Sequence, residues 1–90
     1  RLRLVTILTT MKFETGQPVK TSLCGQCDTC VARCPAGAAN GKLWSVDLKR
    51  DEFYNAHACR NMAKELTRTR IKKNETVCGI CVAVCPLGGK

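Results

Sequence analysis

The stretch that decides the reading is Cys24-Gly25-Gln26-Cys27-Asp28-Thr29-Cys30-Val31-Ala32-Arg33-Cys34-Pro35. Three cysteines follow one another at two-residue gaps, and a fourth stands immediately before a proline. Pro35 cannot continue a helix, so a helix inside the run spans roughly Asp28 to Arg33. Cys24, Cys27 and Cys30 can wrap one common centre, while Cys34 sits across the short helix and points away from it. The run then recurs. Cys27-Asp28-Thr29-Cys30-Val31-Ala32-Arg33-Cys34-Pro35-Ala36-Gly37 aligns with Cys78-Gly79-Ile80-Cys81-Val82-Ala83-Val84-Cys85-Pro86-Leu87-Gly88, and seven of the eleven positions are identical, three cysteines among them. Where the first copy has Cys24, the second has Glu75. The second copy is therefore one cysteine short, and Cys59 is the cysteine that lies outside both runs.

C-x2-C-x2-C-x3-C-P is the spacing with which bacterial ferredoxins hold 4Fe–4S clusters, the fourth cysteine serving the other cluster of a pair. The repeat implies the same crossing in reverse. Cys24, Cys27 and Cys30 take Cys85 as the fourth ligand of cluster 1, while Cys34, Cys59, Cys78 and Cys81 hold cluster 2. The cofactors expected are thus two 4Fe–4S clusters, with residues 24–35 and 78–86 as the two cysteine runs. Zinc also uses C-x2-C pairs, but its four-thiolate sites usually join two such pairs across a long gap. Four disulfides satisfy the arithmetic alone, since Cys27 and Cys30 on one short helix would bridge poorly.

Composition agrees with a metal-dependent fold. The chain has 90 residues, enough for one domain. Its hydrophobic fraction of 44% includes eight cysteines, and Leu, Ile, Val and Phe together supply only 20 residues. A core of that size is marginal without a staple. No apolar run of about 20 residues exists, so no membrane span is expected. No secretory signal is visible at Arg1 to Thr10, which favours reduced thiols in the cytoplasm. The opening at Arg1 without a methionine reads as a piece of a longer polypeptide. The formal charge of +8 is misleading, because eight thiolates and two oxidised cluster cores would lower it to about +4.

Around the runs, Leu2 to Thr9 alternates in part and is expected as a strand. Residues 36–42 read as a tight turn. Asp51 and Glu52 mark a helix start, and the helix is expected to run from Asp51 to about Arg70 with a break near Cys59, closed by Asn74. Cys59, Met62 and Leu66 share its apolar stripe. The fold class expected is a small α+β, ferredoxin-like domain over residues 1–90, with a pseudo-twofold repeat of the cysteine runs.

Four stretches resemble the double-cluster iron–sulfur domain of epoxyqueuosine reductase and its relatives: Cys24-Gly25-Gln26-Cys27 through Cys34-Pro35-Ala36-Gly37-Ala38, Gly41-Lys42-Leu43-Trp44, Arg50-Asp51-Glu52-Phe53 through Ala58-Cys59-Arg60, and Cys78-Gly79-Ile80-Cys81 through Cys85-Pro86. Corrinoid-dependent reductive dehalogenases carry a similar domain, and the opening from Arg1 to Thr10 resembles the strand that precedes it. The resemblance implies clusters that pass single electrons to a cobalamin held by another domain. This chain shows no cobalamin pocket and no catalytic acid. Its expected role is electron transfer to a redox partner or to the upstream cofactor domain of a larger reductase, with no catalytic site of its own. The alternative is a part of an epoxyqueuosine-type or other corrinoid-dependent reductase, and a third reading is a basic module that binds nucleic acid.

Lesser features have plain readings. His57, two residues before Cys59, reads as a surface or packing histidine. Trp44, Phe53 and Tyr54 read as packing that keeps water off the clusters. Gly25 and Gly79 offer backbone N–H groups to cluster sulfur, which would raise the potential. Arg68, Arg70, Lys72 and Lys73 suit the negative end of a helix dipole, and are also the candidate contact for an acidic partner or tRNA.

Overall fold

A computed structural model describes residues 4–88. Its elements are four helices: α1, Thr29–Ala32; α2, Arg50–Phe53; α3, Ala56–Ile71; and α4, Ile80–Val84. The β component among the described residues is two isolated antiparallel bridges, Thr21 with Ser45 and Ala39 with Tyr54. The strand expected at Leu2 to Thr9 is not formed over residues 4–9, and residues 1–3 lie outside the described part. Leu4 and Leu8 are more than nine-tenths exposed. A strand is stabilised by a neighbour that takes up its N–H and C=O groups, and nothing among the described residues pairs with this one.

α1 and α4 carry the two halves of the repeat and pack against each other. The alignment extends to the backbone bonds. Ala32 donates to the Asp28 carbonyl at 3.0 Å and Ala83 donates to Gly79 at 2.9 Å, the same rung in each copy. Gly37 donates to Cys34 at 3.1 Å and Gly88 donates to Cys85 at 3.2 Å, closing the same Cys-Pro-x-Gly turn.

The long helix divides earlier than expected. α2 ends at Phe53, Tyr54 takes an extended conformation, and Asn55 caps α3 by accepting from the Ala58 N–H at 3.0 Å. The break belongs at Tyr54 and Asn55 because the backbone there is engaged elsewhere. Asn55 donates to the Ala38 carbonyl at 2.7 Å and Asn40 donates to Phe53 at 3.3 Å, around the Ala39–Tyr54 bridge. These bonds tie the segment after the first cysteine run to the start of α3, which carries Cys59. At its other end α3 stops at Ile71, with Lys72 in the left-handed region at φ 57°, before Asn74 is reached. The Thr67 hydroxyl clasps the following chain, donating to the Glu75 carbonyl at 2.8 Å and accepting from the Glu75 N–H at 3.1 Å. α3 is thus a strut fixed to both runs.

The interior is unlike that of a protein closed by its own side chains. The buried residues among those described are Ala38, Ala63 and Thr67, and no large side chain is fully enclosed. The accessible surface is 8121 Å², whereas a compact monomer of this mass exposes about 5200 Å². The radius of gyration is 15.6 Å, against about 12 Å for a compact chain of this length. What the helices surround is a cavity.

Candidate metal centre

That cavity measures about 280 Å³, and seven of the eight cysteines line it: Cys24, Cys27, Cys30, Cys34, Cys59, Cys78 and Cys81. Cys85 is not in its lining. It ends α4, half-buried, where the helix packs against α1. All eight thiols are free of disulfides. Trp44, Phe53, Tyr54, Val31 and Ile80 supply apolar wall between the sulfurs. The aromatic residues expected to exclude water are therefore beside the thiols. His57 is exposed on α3 and absent from the lining.

The electrostatics divide the thiols. Burial pushes the Cys81 thiol up, the Val82 N–H opposes it, and the neighbouring Cys59, Cys34 and Cys78 raise it further. Tyr54 senses much of the same group. A hydrogen bond to the Cys59 side chain, then burial, then the charges of Cys59, Cys81 and Cys34 push its hydroxyl up to about 12. A phenol held protonated this way is a donor to sulfur. Cys34, Cys59, Cys78 and Cys81 therefore form one electrostatic neighbourhood, drawn from α1's end, α3 and the second run.

Cys34 sits in a cradle of backbone donors. Burial raises its thiol, but N–H groups of Ala38, Ala36, Ala39 and Gly37 gather on the sulfur and the net effect is a lowered pKa. The Ala38 N–H lies 3.3 Å from Sγ. Cys-Pro-Ala-Gly-Ala-Ala makes this cradle. Proline ends the helix, Gly37 takes φ 56°, and small side chains let successive amides turn inward. Cys27 is exposed, and the Thr29 hydroxyl, 3.4 Å away, lowers its thiol together with the Thr29 N–H. The donors placed on sulfur thus come from Thr29, residues 36–39 and Val82. Gly25 and Gly79 take positive φ, 55° and 71°, at the entrances to the runs.

Among the described residues no three Cys, His, Asp or Glu side chains converge tightly enough to hold a single metal ion. The thiols stand around a volume, with N–H donors aimed at sulfur. Soft, all-thiolate donors spread over several corners fit a polynuclear iron–sulfur group. The basic run is on the outside: Arg68, Arg70, Lys72 and Lys73 are all exposed at the end of α3. Among the described residues no helix is long and apolar enough to cross a membrane.

A family model described as a 4Fe-4S double cluster binding domain matches residues 23–88. No curated protein and no solved structure matches the chain.

Proposed function

The chain belongs to the family of 4Fe–4S double cluster binding domains, and on that premise we propose how its eight cysteines divide and what its electrons serve. It binds two 4Fe–4S clusters and is an iron–sulfur electron-transfer module. Cys24, Cys27, Cys30 and Cys85 hold one cluster, and Cys34, Cys59, Cys78 and Cys81 hold the other. The observation that carries this division is the nearness of Cys59, Cys34 and Cys78 to Cys81, whose thiol all three raise, while Cys24, Cys27 and Cys30 line the same cavity from the first run. The packing of α1 on α4 and the matched turns of the repeat support the pseudo-twofold relation of the two runs that a ferredoxin-like domain would have.

When bound, each cluster accepts and releases one electron. The chain's own residues do the rest. Thiolates fix the iron, Trp44, Phe53 and Tyr54 exclude water, and the amides of residues 36–39 offset charge on Cys34 sulfur. The resemblance to the epoxyqueuosine reductase domain supports delivery of those electrons to a cofactor domain of a larger corrinoid-dependent reductase, in the cytoplasm, where free thiols persist. Anaerobically reconstituted protein should carry about eight iron and eight acid-labile sulfide. Stoichiometric zinc without sulfide would overturn the cluster assignment. Electron paramagnetic resonance of the cysteine-to-alanine series tests the division.

A further inference from the structure

Behind the second cysteine run lies a separate cleft of about 210 Å³, lined by Leu66, Thr67, Arg70, Ile71, Val77, Cys78 and Ile80. Cys78 and Ile80 also line the thiol cavity, so the two spaces share a wall made of a cysteine and one aliphatic side chain. On the outer side Ile71 and Val77 are each 58% exposed. Arg70 lines the cleft, and Arg68, Lys72 and Lys73, its neighbours along the chain, are exposed. The nearby acids are Glu65 and Glu75. Glu75 is fixed through its backbone by Thr67.

We propose that this cleft is the electron port of the module, and that it docks an acidic one-electron carrier protein. The proposal rests on the electron-transfer reading and adds a place and a partner. Electron transfer falls steeply with distance, so the useful face is one where a ligand sulfur is close to the surface behind apolar packing. The Cys78 wall is such a face. A small apolar patch with Arg70 on its lining and three further exposed cations at the same helix end is the complement of a carrier whose own patch is rich in carboxylates, and the charges steer the encounter. The solvated-helix-end account explains the cations at the dipole terminus but leaves Ile71 and Val77 exposed beside a ligand cysteine without a role. In the exchange one electron leaves the reduced carrier and one is gained by the oxidised module, with no bond made or broken, and the reverse transfer uses the same face.

The test uses holo-protein and flavodoxin as an acidic one-electron carrier. Dithionite-reduced protein is mixed with oxidised flavodoxin in stopped flow, and binding of the two oxidised proteins is measured separately by calorimetry. Wild type should bind and exchange, with both quantities falling as salt rises. Arg70→Glu/Lys73→Glu should bind and exchange about tenfold or more weakly, at the low end of electrostatic steering effects. Iron and sulfide content of the variant verifies that it is loaded. Should the variant lose its clusters, the salt dependence of the wild type alone decides. Exchange insensitive to salt and to the charge reversal overturns the port, as does tRNA binding with no flavodoxin binding. Failure of dithionite to bleach wild-type holo-protein is a different result, since it overturns the electron-transfer reading beneath.

Discussion

The two cysteine runs share their local chemistry and differ in how each is completed. The first holds Cys24, Cys27 and Cys30 in one short segment, with Cys24 and Cys27 exposed, and in the proposed division it takes Cys85 from the second run as its fourth ligand. The second has Cys78 and Cys81, and in the proposed division it draws on Cys59 from α3 and Cys34 from the first run. Its thiols are half-buried, and Cys81 is raised by burial where Cys27 is lowered by Thr29. The N-caps differ too. Asp28 opens α1 at φ −117°, while Gly79 opens α4 at φ 71°. On that division one site takes three of its four ligands from a single local run, and the other takes only two from its run and two from elsewhere in the chain. The second should be the more sensitive to anything that moves α3.

Removing both clusters abolishes the comparison altogether and should have the largest effect. Side chains bury little here, so cluster binding is folding free energy. Chelated protein should lose its cooperative thermal transition in circular dichroism while the holo form keeps one. A cooperative transition of equal midpoint without iron would break the account.

Cys59→Ala separates the two sites. The expected outcome is selective impairment of the Cys34, Cys78 and Cys81 cluster, leaving a three-iron form or an empty site, with the Cys24, Cys27, Cys30 and Cys85 cluster retained. Electron paramagnetic resonance of the reduced protein reads this directly. An unchanged two-cluster, spin-coupled spectrum would show that Cys59 is a buried thiol with no ligand role.

Thr67→Val sharpens the dependence on α3. The substitution keeps the shape and removes the hydroxyl that serves both backbone groups of Glu75. Leaving buried polar groups unpaired costs about 1–3 kcal/mol. The denaturant midpoint of the holo-protein should fall accordingly, and iron should be lost first from the second site. Equal loss from both sites would mean that α3 supports them alike.

Much of this asymmetry is legible in the amino-acid sequence. Cysteine spacing, the internal repeat and the missing counterpart of Cys24 single out Cys59, because ligation chemistry is short-ranged and written in integer gaps. The proline-terminated helices are legible for the same reason. The break at Tyr54 and Asn55 is not, since it depends on pairing with Ala38 to Asn40, a contact between segments that no local pattern encodes. The strand expected at Leu2 to Thr9 shows the converse. Alternation is a local signal, but a strand needs a partner, and residues 4–9 have none among the described residues. The buried positions of α3 are Ala63 and Thr67, flanked by the Cys59, Met62 and Leu66 stripe. A small residue and a hydroxyl carry weak hydrophobic signals, so the stripe is readable and its centre is not. The amide cradle on Cys34 has a signal in Pro-Ala-Gly-Ala-Ala, where small residues leave the backbone free to turn onto sulfur.

The smallest expected effect concerns a single atom. Tyr54 lines the thiol cavity, and the Cys59 side chain is the leading influence on its hydroxyl, as a hydrogen-bond partner. Hydrogen bonds to ligand sulfur stabilise the more negative, reduced state and so raise the reduction potential. Tyr54→Phe removes the donor and keeps the ring that excludes water. A hydrogen bond contributes about 0.5–1.5 kcal/mol net, and only its difference between oxidation states enters the potential. The potential of the Cys34, Cys59, Cys78 and Cys81 cluster should therefore fall modestly, while that of the other cluster stays in place. Iron content and thermal stability should change little, because the apolar wall is intact. A redox titration followed by electron paramagnetic resonance resolves the two clusters. Equal shifts in both would show that Tyr54 acts through the general dielectric of the cavity, and no shift in either would remove the hydroxyl from the account of how the second site is tuned.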